Sequence, residues 1–259
     1  MDSGSPCPAA ILAALRVELS PIENRLAGRR MVRAEGGSYV AGRLGGHEVI
    51  LAQTGVGSQA ARQAADWLIR GAHPGILIGA GFAGGLRPEL ATGDIAIAGE
   101  VHDPPPPDGD GPRTWTSDAE LLEAARKACT DGVRLHVGRI SSSRTVLASG
   151  EAKRAFGERH GAIATDMESA GIARMANVHD RKALYVRVIL DDIDYELPPI
   201  DFARILTPGG SVRPFRALGV ILSRPSLLAK LPELRQRAHK AAEALAAAVE
   251  KIVAALPAS

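Results

Sequence analysis

Carboxylates placed at the ends of apolar segments are the chemistry-bearing feature of this chain. Ala164-Thr165-Asp166-Met167-Glu168-Ser169-Ala170 sets Glu168 where an apolar strand turns into a helix. Val186-Arg187-Val188-Ile189-Leu190-Asp191-Asp192 sets Asp191 at the end of a β-branched strand. Glu18 lies just past the first strand, in Ala13-Ala14-Leu15-Arg16-Val17-Glu18-Leu19. Acids gathered at strand ends beside one sheet can grip a polar substrate and move protons on it, which suits an enzyme acting on a sugar-bearing small molecule.

Each acid also has an ordinary explanation. An acid in a first helical turn complements the helix dipole, and this applies to Glu18 and Glu168 alike. Asp191, Asp192 and Asp194 suggest a cation site, but a hard cation wants more oxygen ligands than one exposed loop supplies, so no metal is expected. Arg187, charged and inside a strand, reads as a structural residue awaiting a partner.

Two glycine stretches follow predicted strands, Gly55-Val56-Gly57-Ser58-Gln59-Ala60 and Gly79-Ala80-Gly81-Phe82-Ala83-Gly84. In that context G-x-G-x-x-A would bind a dinucleotide pyrophosphate. The first lacks an acid at the end of the next strand to hold ribose hydroxyls; the second runs into Gly85, Arg87 and Pro88, which do not propagate a helix. The expectation is therefore no cofactor. Gly55, Gly57, Gly81 and Gly84 are read as loops that let backbone approach a smaller ligand, with tight turns as the plainer alternative.

The elements that position these residues alternate strand and helix, the βαβ signature. Strands are predicted over Ala9–Leu15, Tyr39–Leu44, His47–Gln53, Gly75–Gly79, Asp94–Val101, Arg134–Ser141 and Lys182–Leu190. Helices are predicted near Val17–Leu26 and over Ser58–Gly71, Ser117–Thr130 and Glu233–Leu256. Gly45-Gly46 signals a hairpin. Pro104 to Pro107 reads as an exposed, stiff loop. Residues 196–232, rich in proline and in Leu, Ile, Val and Phe alternating with Arg and Lys, read as an insertion within one domain spanning 1–259.

At 259 residues with 46% hydrophobic content the chain can bury one sizeable core, and 3% aromatics make that core aliphatic. A net charge of +2, with no basic face interleaved with aromatics, argues against a nucleic-acid partner. Cys7 and Cys129 offer no disulfide framework. Without a signal peptide or a long apolar run, a cytoplasmic protein is expected.

The ordered set adds specificity. A strand followed by an acid, then T-G-V-G, G-x-x-G-G-L with G-D-I, D-M-E-S-A and R-V-I-L-D-D resembles the nucleoside phosphorylase and nucleosidase superfamily, most closely its methylthioadenosine/S-adenosylhomocysteine nucleosidase branch. The resemblance implies an α/β three-layer sandwich, with a central twisted mixed β-sheet flanked by helices, and cleavage of the N-glycosidic bond of a nucleoside. It matches Glu18 to the acid that activates water, Met167 and Glu168 to the residues that hold the ribose, Asp191 to the acid that protonates N7 of the purine, and Val146 and Leu147 to apolar residues flanking the base. It also implies a homodimer.

Departures from the family pattern sharpen the expectation. Phosphorylases of the superfamily hold phosphate with arginine and serine near the glycine stretch, where this chain has Phe82 and Ala83; this favours water as the acceptor. Leu190 replaces a small polar residue before the catalytic acid, and Arg16 and Val17 interrupt an acidic run. The 196–232 segment resembles that of a hopanoid-associated branch linked to adenosylhopane, which implies a lipid-linked substrate and peripheral membrane contact; an ordinary amphipathic flap is the plainer alternative. A phosphorylase, a nucleosidase for methylthioadenosine, S-adenosylhomocysteine or futalosine, and a non-catalytic nucleoside sensor are the competing functions.

Overall fold

The computed structural model describes residues 8–105, 111–130, 132–197 and 227–257. The described strands are β1 (Ala9–Ala13), β2 (Ala27–Ala34), β3 (Gly37–Leu44), β4 (His47–Gln53), β5 (Ile76–Gly85), β6 (Ile95–Asp103), β7 (Arg113–Thr116), β8 (Leu135–Ser142), β9 (Ala164–Asp166) and β10 (Lys182–Asp191). The described helices are α1 (Arg16–Glu23), α2 (Ser58–Ala72), α3 (Ala119–Ala128), α4 (Gly150–His160), α5 (Ser169–Val178) and α6 (Leu227–Ala254).

All these strands join one mixed sheet in the order β10-β6-β8-β9-β5-β1-β4-β3-β2, with β7 added to β6. The sheet also closes on itself, because β10 pairs with β5 as well as β6. The long strand β5 makes this possible. Its first half lies parallel to β1, its end pairs antiparallel with β9, and its other edge runs parallel to β10.

Apolar side chains fill both faces. Leu19 and Ile22 of α1, Leu121 of α3 and Leu245, Val249 and Ile252 of α6 pack on one side. Leu68 and Ile69 of α2 and Ile172 of α5 pack on the other. This is the expected α/β sandwich. The α6 pattern follows its sequence: Ala241, Leu245, Ala248, Val249 and Ile252 recur at helical spacing and are buried.

Several parts depart from the expectations, and β7 and α4 had no predicted counterpart. The stretch Gly79–Gly84 is strand, not loop, since it pairs with β10 along its length and with β1 and β9 at its two ends. Strand β2 was not foreseen: Arg29, Arg30 and Arg33 stand in an almost wholly exposed strand with no buried alternation to read. Helix α6 begins at Leu227, so the end of the predicted 196–232 insertion is helical; residues 198–226, with most of that prediction, lie outside the described residues, as do Pro106 and Pro107. Among the described residues no helix is long and apolar enough to cross a membrane.

Candidate active site

The predicted acids converge because several strand ends meet. Asp191 stands opposite Gly84 across β10 and β5, just past a register shift, and Gly84 stands opposite Thr165 across β5 and β9. Glu168 follows β9 as the N-cap of α5. Glu18 sits in the first turn of α1, which leaves the end of β1.

A cavity of about 290 Å³ opens at this junction. Glu18, Glu168 and Asp191 line it with Phe82, Ala83, Gly84, Val146, Leu147 and Met167. Gly55, Gly57 and Gly81 do not. Further walls come from residues that sequence reasoning missed, among them Leu197, Leu234 and Ala238. A periodic helix carries no mark of which residues at its start will face a distant strand end.

Each acid is held by its surroundings. The Glu18 carboxylate accepts the Leu15 N–H at 2.7 Å and the Phe82 N–H at 2.8 Å, so it caps its own helix and ties it to β5. Burial pushes its proton affinity up, against those N–H donors and the Arg187 charge. Glu168 accepts the Gly57 N–H at 2.7 Å. Burial, with Asp166 and Glu18 nearby, raises its pKa to about 7. Asp191 is 4% exposed, and burial carries its pKa up to about 6 despite the ammonium of Lys153.

The glycines act on protein groups. Gly57, at φ 97°, turns its N–H to Glu168. Gly171 lets α5 press on the start of α2, where a Cβ would lie 2.1 Å from the Ser58 carbonyl oxygen; that approach brings the Gly57 turn to Glu168. A Cβ on Gly81 would lie 2.4 Å from Nη1 of Arg187 and 3.0 Å from Oε1 of Glu18. Gly57 therefore binds a carboxylate and Gly81 makes room for a guanidinium, while a ligand contact of Gly55, Gly57 and Gly81 is a proposal. Arg187 is structural as expected, buried against Asp166 at 2.7 Å and donating to Ser169 Oγ at 2.9 Å.

The three neighbouring aspartates go separate ways. Asp191 faces Lys153 at 2.5 Å, Asp192 pairs with Arg237 at 3.2 Å, and Asp194 pairs with Arg154. Among the described residues no group of three His, Cys, Asp or Glu is placed to hold a metal ion. Among the described residues, the charged side chains lining the cavity are all carboxylates: Glu18, Asp166, Glu168 and Asp191.

A mixed sheet closing on itself, with carboxylates at its strand ends around an apolar cavity, defines an α/β protein built to hold a small polar molecule with apolar faces. Residues 8–205 match the model of the Phosphorylase superfamily, and the chain belongs to that superfamily. It is 29% identical over 213 residues to the 5'-methylthioadenosine/S-adenosylhomocysteine nucleosidase of Geobacillus thermodenitrificans, covering 76% of this chain and 89% of that one. Its fold matches the solved structure of the same-named nucleosidase of Neisseria meningitidis, in complex with methylthio-immucillin-A, with a TM-score of 0.74 at 22% identity, over 96% of this chain and 99% of the other. The S-adenosylhomocysteine nucleosidase of Streptococcus pyogenes, in complex with 5-methylthiotubericidin, gives a TM-score of 0.78 at 19% identity, over 99% and 100%.

Proposed function

We propose that this protein hydrolyses the N-glycosidic bond of an adenine nucleoside carrying an apolar 5′ group. The chain is an enzyme that cleaves that bond. The carboxylate-only charge of the described cavity lining carries the choice of water as acceptor. A phosphate dianion entering beside Glu18, Asp166 and Glu168 would meet like charge, with no lining cation among the described residues to offset it. Arg187, whose charge reaches Glu18 and Glu168, is already engaged by Asp166 and Ser169.

The roles follow from the chemistry. Asp191 gives its proton to N7 of the purine as the bond to C1′ breaks, so the bonding pair leaves on a neutral base. The sugar becomes oxocarbenium-like, and Glu168 accepts hydrogen bonds from the ribose that strengthen as that charge grows. Water adds to C1′ and its proton passes to Glu18. Proton exchange with solvent then returns Glu18 to the ionised form and Asp191 to the acid.

Apolar side chains on the remaining walls, including Leu15, Val56, Leu197 and Leu234, favour an apolar 5′ substituent. Val17 and Val146 line the same cavity and are 44% and 39% exposed, which gives the mouth an apolar rim. A lipid-linked nucleoside such as adenosylhopane, lying across that rim, is the leading substrate, and the basic, apolar sequence at 204–231 suits it. Methylthioadenosine or S-adenosylhomocysteine is the second reading, favoured by what the relatives are named for. A homodimer in contact with a membrane surface completes the proposal.

The test is adenine release from a series of 5′-modified adenosines, with and without phosphate, and identification of the sugar. A free sugar, a rate independent of phosphate and a preference for large apolar 5′ groups are expected. A sugar 1-phosphate would overturn hydrolysis; a preference for the methylthio compound would replace the lipid substrate.

A further inference from the structure

Lys153 is unusual in this molecule, because its side chain is wholly closed to solvent. An ammonium buried that far is costly unless every N–H finds a partner. Here they do. Nζ donates to the carbonyl of Asp192 at 2.7 Å and of Tyr195 at 2.8 Å, and lies 2.5 Å from Oδ2 of Asp191. That oxygen has no hydrogen-bond partner beyond this ion pair. Lys153 projects from α4, whose start is pressed on the same turn: a Cβ on Gly150 would lie 2.8 Å from the Ile193 carbonyl oxygen. The lysine does not line the cavity; Asp191 does.

We propose that Lys153 is the positioning residue of the proton donor: anchored on the Asp192 and Tyr195 carbonyls, it fixes the Asp191 carboxyl at the cavity wall and stabilises the carboxylate left when the proton departs. This rests on the hydrolytic reading above, in which Asp191 gives its proton to N7. Burial alone would hold that proton too tightly, since creating an anion in an apolar pocket is unfavourable. An adjoining ammonium makes the same step easier, and the proton that moves is the one Asp191 carries. The other groups facing Asp191 are Asp192 and Tyr195 on the turn and Arg237 from α6. Arg237 is spent on Asp192, Glu233 and Thr92, which leaves Lys153 as the cation in contact.

A strut for the 192–195 turn would make the same two carbonyl hydrogen bonds, and the experiment separates the two roles. The Asp191 carboxyl carbon is followed by NMR against pH in the wild type, in K153M and in K153R, with D191N identifying the signal. Removing an opposite charge in contact should raise the proton affinity of Asp191 about tenfold or more in K153M, with K153R returning most of it. The alkaline limb of kcat/KM for an adenine nucleoside should move to higher pH by the same factor. Unchanged Asp191 titration in a folded K153M would overturn the proposal and leave a strut.

Should K153M fail to fold, the wild type still decides. The Lys153 Nζ resonance should step at the pH where Asp191 titrates, and D191N should abolish the step. A resonance blind to Asp191 would overturn the pairing. Coupled titration in an enzyme that cleaves no adenine nucleoside would instead sustain the pair and sink the hydrolytic reading.

Discussion

Arg187 and Asp166 form an ion pair at 2.7 Å with both side chains almost wholly excluded from solvent, 1% and 0% exposed. Asp166 also accepts from Ser142 Oγ at 2.7 Å and from the Ser169 N–H, so the pair joins β8, β9, α5 and β10 behind the cavity. The Arg187 charge works against the burial of Glu18 and Glu168, while Asp166 adds to the raised proton affinity of Glu168. Removing one partner leaves the other charge buried alone. Arg187→Met should destabilise the fold by about 3–5 kcal/mol, read by denaturant unfolding. A loss under about 1 kcal/mol would mean that the hydrogen bonds from Ser142 and Ser169 hold Asp166 without the arginine.

Asp191→Asn should bind nucleoside and lose most turnover, because an amide has no acidic proton for N7. The expected loss in kcat is about 10²- to 10⁴-fold. For the wild type, kcat/KM should fall as pH rises through about 6, where the free enzyme loses the Asp191 proton. A near wild-type rate in the asparagine variant would remove Asp191 from the chemistry.

Glu168→Gln should lower kcat more than it raises KM, since the hydrogen bonds it weakens are those that strengthen in the transition state. The same variant tests the electrostatics. Glu168 titrates at about 7 in the fold against an ordinary 4.5, so the native state keeps a proton that the unfolded chain has lost. Its contribution to stability is complete below about 4.5 and is lost as pH rises toward 7, by at most about 1.4 kcal/mol per pH unit. Melting curves across that window should flatten in the glutamine variant.

Gly81→Ala puts a methyl group into space held by Arg187 and Glu18. The guanidinium cannot retreat without leaving Asp166. A loss of about 1–3 kcal/mol is expected, together with lower kcat as Glu18 is displaced. Unaltered melting and turnover would show that the arginine has room to move.

Val17 and Val146 are exposed at the cavity rim, so replacing both by Ser should leave melting almost unchanged. Cleavage of a nucleoside with a large apolar 5′ group should drop several-fold in kcat/KM, while a small adenosine is spared. Equal effects on both substrates would mean that the rim does not touch the 5′ group.

What could be read from the residues alone differed from place to place for physical reasons. D-M-E-S-A places Glu168 at a strand-to-helix turn because an apolar run gives way to small residues there, and the β-branched run before Asp191 leaves little choice but strand. Gly79–Gly84 misled, since glycine normally argues against strand; only the two edges of β5 reveal why small residues are wanted. Lys153 was invisible for the opposite reason. Gly150-Glu151-Ala152-Lys153-Arg154 looks like the polar start of a solvated helix, and nothing in the order of residues says that this lysine turns inward to a carboxylate some forty positions later.

Arg237 clasps helix α6 to the turn after β10: it stacks over the Tyr195 ring at 3.9 Å and reaches Asp192 and Thr92. The carboxylates therefore all descend from the stretch of chain ending at Asp191, while Leu234 and Ala238 arrive on a helix reached through residues 198–226. Selection can lengthen, shorten or recompose that joining stretch while inheriting the chemistry intact, provided the clasp survives. Diversification among descendants should then gather there, with new tastes in substrate emerging before any new reaction.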